Sequence, residues 1–191
     1  MRQLQRRHQQ RLTLISNENA GTQDCTAFTL RAKIELREHI DGLRSAGAAG
    51  VGLYRTEFLF MNRPTPPSED EQYEVYCHVL RRVEGPVTIR TLDLGADKQV
   101  DGGRPDSETT ATSALGLRAI RLCLSGPSLF KPQLRAILRA AVHGDAQIMI
   151  PMLSSLHELE QCLALVGEVC AELGREAVVF NPKVPRGGMS E

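Results

Sequence analysis

The chain has 191 residues, 41% of them hydrophobic, with 23 basic and 23 acidic side chains and no net charge. That is enough for one domain, or one and a fraction, around a sizeable core. It gives no footing for nucleic-acid binding, since no basic run is interleaved with aromatics, and no apolar run is long enough to span a bilayer.

Residues 2–14 read as a polar helix whose cluster Arg2, Arg6, Arg7 and Arg11 suits a solvated face. Residues 16–26 are rich in turn formers and read as a connector, so 1–26 is expected to precede a domain over 27–191. A strand is expected over 28–34, then a helix over 37–47 closed by Gly47. The next strand runs from Gly50 to Phe58, and Pro64, Pro66 and Pro67 break the chain after it. Ser68 and Glu71 form a capping box for a helix burying Val75, Tyr76, Val79, Leu80 and Val83.

A third strand is expected over 87–94, followed by a long polar loop over 95–114, a length that points to function or disorder. Helices at about 115–124 and 128–143 follow, then an apolar strand over 147–152 of the kind buried on both faces. Ser155 and Glu158 read as a second capping box. The helix behind it carries a stripe of Leu156, Leu159, Leu163, Val166, Val169, Cys170 and Leu173. The stretches 177–180 and 185–189 are β-like.

Strand and helix alternate without hairpin signals, so the sheet is expected to be parallel. The fold class is therefore α/β. A closed eight-stranded barrel needs about 250 residues. The expectation is a partial (β/α)8 TIM barrel of four to five βα units, preceded by a linker helix. Such a half barrel leaves two strand edges unpaired.

Arg55 and Arg90 close two strand-like runs, at the C-terminal ends where α/β proteins carry their sites. A buried guanidinium is costly unless paired, and two that converge suit a dianion such as a phosphate ester. A local salt bridge to Glu57 or Asp93 is the competing reading, with Asp93 capping or orienting rather than neutralising. Arg118 is a third cationic candidate or a surface arginine, and Lys98 is ambiguous in the same way. Dinucleotide, P-loop, G-x-S-x-G and H-E-x-x-H motifs are absent. The cysteines Cys25, Cys77, Cys123, Cys162 and Cys170 are odd in number, without a CxxC pair, which argues against a disulfide framework or zinc. Four of them, Cys25 excepted, fit plain packing. His143, just before Gly144, suits a helix C-terminus. Without a signal peptide, a cytoplasmic, reducing setting is expected.

Gly-Val-Gly-Leu-Tyr-Arg-Thr-Glu-Phe-Leu-Phe-Met (50–61) resembles a hallmark of the PEP-utilising enzymes, and specifically of Enzyme I of the bacterial sugar phosphotransferase system. The stretches 89–98, 114–121, 132–140 and 148–152 resemble the same family in the same order. The resemblance implies a barrel that binds phosphoenolpyruvate (PEP) and Mg2+ and forms a homodimer. It implies that the phosphoryl group passes to a histidine on a separate N-terminal domain and then to the carrier protein HPr. Arg55 and Arg90 would hold the PEP phosphate, with help from Arg118. The tail 180–191 resembles the family's fifth strand, ending in G-x-M-x-E, and Glu191 would be a magnesium ligand.

The chain departs from the pattern in places. Arg186 and Ser190 stand where the family's strand is apolar, and burying Arg186 would be costly. The phosphorylatable-histidine motif T-H-x-A is absent. A second metal-binding acid and a proton-donating cysteine would lie beyond residue 191, so no catalytic residue is assigned and the isolated chain is expected to be inactive. The competing readings are a non-catalytic remnant or dimerisation module, and another PEP or pyruvate barrel such as pyruvate phosphate dikinase.

Overall fold

The computed structural model describes residues 20–43, 45–94 and 116–189. The helix expected over 2–14, the long loop with Lys98, and Glu191 lie outside the described residues. In chain order the elements are β1 (Ala32–Ile34), a 3₁₀ turn (Arg37–Gly42), β2 (Val51–Arg55), a second 3₁₀ turn (Glu57–Leu59), α1 (Glu69–Arg82), β3 (Val87–Arg90), α2 (Ala119–Ser125), α3 (Pro127–Ala140), β4 (Ala146–Ile150), α4 (Leu156–Arg175) and β5 (Arg186–Gly188).

The five strands are all parallel, and their order in the sheet is their order in the chain. A doubly wound sheet would reverse that order somewhere and place helices on both faces. Here α1 packs on the first 3₁₀ turn and on α3, and α3 packs on α4. Consecutive connections therefore lie side by side on one face, which is the winding of a (β/α) barrel. The α/β expectation holds, with five strands and four α-helices among the described residues, consistent with part of such a barrel.

The core lies between that face of the sheet and the helices. Val51, Tyr54, Val87, Ile89, Ala146, Ile148 and Ile150 are buried there with Tyr76, Leu80, Leu134, Ile137, Leu138 and Val166. Burying each large apolar side chain contributes about 1.5–3 kcal/mol. Side chains alternate along a strand, so Thr88 and Arg90 of β3 point to the opposite face from Val87 and Ile89. The close approach of β2 and β3 at their starts requires glycine. A Cβ on Gly50, whose φ is +153°, would sit 2.6 Å from the Pro86 carbonyl oxygen, and one on Gly85 would sit 2.0 Å from that of Ala49.

Capping follows the sequence closely at α1. Ser68 Oγ accepts the Glu71 N–H at 3.2 Å, and Glu71 accepts the Ser68 N–H at 2.7 Å. The second box is only half formed. Ser155 Oγ accepts the Glu158 N–H, but the Glu158 carboxylate turns to the Ser154 N–H at 2.8 Å. Its other oxygen is held by Arg121 at 3.2 Å.

Several expectations are revised, and the helix expected over 37–47 is a 3₁₀ turn over Arg37–Gly42. The strand over 28–34 shortens to Ala32–Ile34. Phe28 and Leu30 are 49% and 56% exposed, and residues 20–28 close on themselves through the Phe28 N–H and the Ala20 carbonyl. On α4 the buried face is Cys162, Leu165, Val166, Val169 and Leu173, whereas Leu156 and Leu163 are 70% and 43% exposed. Arg186 is exposed on β5 and donates to the Pro182 carbonyl, so the costly burial does not arise.

Candidate functional site

Arg55 is the last residue of β2 and Arg90 the last of β3, and the two are register partners across the parallel ladder. Neighbouring strands run about 4.8 Å apart, and the pairing puts both side chains on the face away from the helices. The sheet continues this row through Met149 of β4 and Gly187 of β5. One residue layer below, Gln147 Oε1 accepts from Thr88 at 3.2 Å and from Arg31 at 3.4 Å.

Each arginine is anchored by a carboxylate. Arg55 Nη1 donates to Glu35, just past β1, at 2.8 Å. Arg90 Nη2 donates to Glu57 at 2.6 Å, and its Nη1 lies 3.2 Å from Asp93. Arg118, the N-cap residue of α2, reaches the other Asp93 oxygen at 3.2 Å. Asp93 therefore bridges two guanidinium groups, which corrects its reading as a cap or orienting group only. The Glu35 partner of Arg55 was not among the acids expected from the sequence. Glu35 holds the Arg55 guanidinium above its ordinary pKa. Arg55, and Lys33 after it, hold the Glu35 carboxyl below its own.

Three guanidinium groups and three carboxylates thus alternate along the strand ends. Alternation limits the mutual repulsion of the cations. It does not exhaust their donors. Among the described residues, the Nε atoms of Arg55, Arg90 and Arg118 are buried without a hydrogen-bond partner, as is Glu57 Oε2. An unmade hydrogen bond on a buried polar group costs about 1–3 kcal/mol. Buried polar groups are nearly always paired, so three such N–H groups in one cluster are what an anion with several oxygens would satisfy.

A second device fixes the start of α2, next to Arg118. Arg121 donates to Glu158, to the Ser154 hydroxyl and to the Gly116 carbonyl, each at 3.2 Å. Ala119, between the two arginines, takes φ +47°, a strained region for a residue with a Cβ.

A cavity of about 530 Å³ lined by Ile40, Leu43, Gly50, Arg82 and Gly85 lies at the N-terminal ends of β2 and β3. It is at the opposite end of the sheet from the arginines, and its charged lining is one guanidinium, Arg82, against two acids, Asp41 and Glu84, so chemistry rather than volume marks the candidate site. Among the described residues no cluster of His, Cys, Asp or Glu is arranged to hold a metal ion. Cys77, Cys123 and Cys162 are buried free thiols, and burial pushes Cys123 and Cys162 up to about 12. This supports their packing role. His143 stands at the end of α3, where its backbone N–H donates to the Ala140 carbonyl at 3.0 Å, and its Nε2 lies 3.2 Å from both the Tyr73 hydroxyl and Arg81. Among the described residues no helix is long and apolar enough to cross a membrane.

The parallel, singly wound sheet with its helices on one face defines an α/β protein of the barrel-forming kind. The chain belongs to the PEP-utilising enzymes, matching the family's PEP-binding domain over residues 9–191. It is 43% identical over 183 residues to the phosphoenolpyruvate-protein phosphotransferase of Cupriavidus necator, covering 95% of this chain and 31% of that protein. It is 43% identical over 178 residues to the protein of the same name from Priestia megaterium, covering 93% of this chain and 31% of that one. The Staphylococcus carnosus relative of that name is 40% identical, with 95% and 32% covered. The chain thus spans about a third of the length of these relatives.

Proposed function

We propose that this chain is the PEP-binding part of a phosphoenolpyruvate-protein phosphotransferase, in which Arg55 and Arg90 hold the phosphate of PEP and Arg118 assists. The observation that carries the reading is the register pairing of Arg55 with Arg90, with the Nε donors of all three arginines unsatisfied among the described residues. Family membership over residues 9–191 supports it.

Phosphoryl transfer passes through a loose transition state with charge spread over the equatorial oxygens, so catalysis rests on positioning and electrostatic stabilisation. Guanidinium groups supply both. Their carboxylates are bound through Nη nitrogens, and in this reading the phosphate oxygens take up the remaining N–H groups, Nε among them. As the bond from phosphorus to the enol oxygen breaks, the phosphoryl group passes to a histidine nitrogen. The leaving group is the enolate of pyruvate, which then takes up a proton. In this reading the acceptor histidine is on a separate domain and hands the phosphoryl group to HPr.

The same proposal covers a homodimer, a cytoplasmic setting and the division into a linker with connector (1–26) and a barrel-forming part (27–191). It includes Mg2+ held through Glu191, on the strength of the G-x-M-x-E pattern at the end of the chain. The described residues do not form that metal site.

Calorimetric titration tests the reading. PEP is expected to bind saturably, and pyruvate, which lacks the phosphate, to bind far more weakly. Equal affinities for the two, or no PEP binding, would refute it.

A further inference from the structure

Behind the two arginines lies a buried polar cluster that neither the charge pattern nor the proposed chemistry uses. Gln133, on α3, is 1% exposed, and Thr56 and Tyr76 are fully buried. Gln133 Nε2 donates to Thr56 Oγ1 at 3.1 Å and to Tyr76 Oη at 3.2 Å. Its Oε1 accepts the Leu92 N–H at 2.9 Å. Thr56 Oγ1 in turn donates to the Arg90 carbonyl at 2.9 Å. Both N–H groups and the carbonyl oxygen of one glutamine are thereby engaged.

The positions it reaches are telling. Thr56 stands between Arg55 and Glu57, and Leu92 between Arg90 and Asp93. The main chain of residues 90–92 is pinned at three consecutive groups: the Arg90 carbonyl by Thr56, the Thr91 N–H by Met149, and the Leu92 N–H by Gln133. An apolar residue would fill the same space between helix and sheet without the cost of burying an amide. A buried network satisfied at every atom specifies one geometry.

We propose that Gln133 is a positioning residue for the anion site, clamping through Thr56 the strand ends that carry Arg55 with Glu57 and Arg90 with Asp93. The role rests on the phosphate reading above for its purpose, but the clamp itself is a statement about side-chain order. It predicts that loss of one hydrogen bond at the back of the sheet loosens a guanidinium at the front.

The test uses the 191-residue chain with Gln133→Met, Thr56→Val, the double variant and Thr56→Ser, which keeps the hydroxyl. Two quantities are read: the order of the Arg90 Nε–H by NMR relaxation, and the PEP dissociation constant. Gln133→Met and Thr56→Val are each expected to raise the mobility of the Arg90 Nε–H above that of the parent and to weaken PEP about tenfold, since small misplacements at a reacting centre are costly. The double variant should be no worse than either, and Thr56→Ser should match the parent. Variants that fold with Arg90 order and PEP affinity unchanged, or that add their effects, would overturn the clamp. If the parent does not bind PEP, the phosphotransferase reading fails, while the Arg90 order still decides the clamp. If Gln133→Met does not fold, the Thr56→Val and Thr56→Ser pair decides it.

Discussion

Arg55 and Arg90 stand side by side as the last residues of two adjacent parallel strands, yet each is held by an acid from a different direction. Glu35 reaches Arg55 from beyond β1, and Glu57 reaches Arg90 from the turn after β2. The pair is thus kept together by the sheet and balanced by carboxylates, with the Nε donor of each guanidinium left over among the described residues.

The two arginines should respond very differently to removal. The Arg90 side chain is 9% exposed and faces two buried acids. Arg90→Met strands Glu57, leaves Asp93 to Arg118 alone, and is expected to destabilise the fold by about 3–5 kcal/mol. The Arg55 side chain is 36% exposed, and Arg55→Met should cost at most about 1 kcal/mol while abolishing PEP binding. Urea denaturation of both variants checks the contrast. Equal losses would contradict the burial argument.

Gly85→Ala probes the approach of β2 to β3. The added Cβ meets the Ala49 carbonyl oxygen at 2.0 Å, and backbone cannot move aside as a flexible side chain can. The expected loss is about 1–3 kcal/mol, read as a lower midpoint with an unchanged denaturant slope. Alanine at Gly167, where a Cβ would meet nothing within 4 Å, should be neutral or slightly stabilising.

Acid should unfold the chain through a few identified carboxylates. Glu35 is depressed by Arg55, Glu71 by Arg63, Glu176 by Arg135, and Glu158 by the Ser154 N–H ahead of Arg121. Their native pKa values lie below the ordinary 4.5. Between the two values the unfolded chain binds more protons than the native one, so these groups stabilise fully above the ordinary value. Their contribution is lost as pH falls through the native values. Melting curves across that window should show a falling midpoint, and Glu158→Gln should flatten the slope. A midpoint that rises on acidification would contradict the assignment.

Much of this arrangement was legible in the sequence because its signals are local. The Ser68 box, the apolar run of β4 and the placing of Arg55 and Arg90 at strand ends each need only a few neighbouring residues. What was not legible depends on distant partners. Glu35 meets Arg55 across 20 residues, and Gln133 meets Thr56 across 77. Neither acid nor amide stands in a motif that names its partner. The exposed Leu156 and Leu163 were misread for the same reason. An apolar stripe shows which residues share a helix face, but only packing decides which part of that face is covered. The shortened β1 failed likewise, since alternation marks a strand only where a partner strand runs beside it.

The central claim is that two guanidinium groups at neighbouring strand ends hold one phosphate. A crystal structure of the chain with PEP tests it most directly. The account predicts phosphate oxygens within about 3.2 Å of nitrogen atoms of both Arg55 and Arg90, with Nε donors engaged. A phosphate bound at the opposite end of the sheet, in the cavity beside Gly50 and Gly85, or one that touches neither arginine, would contradict it.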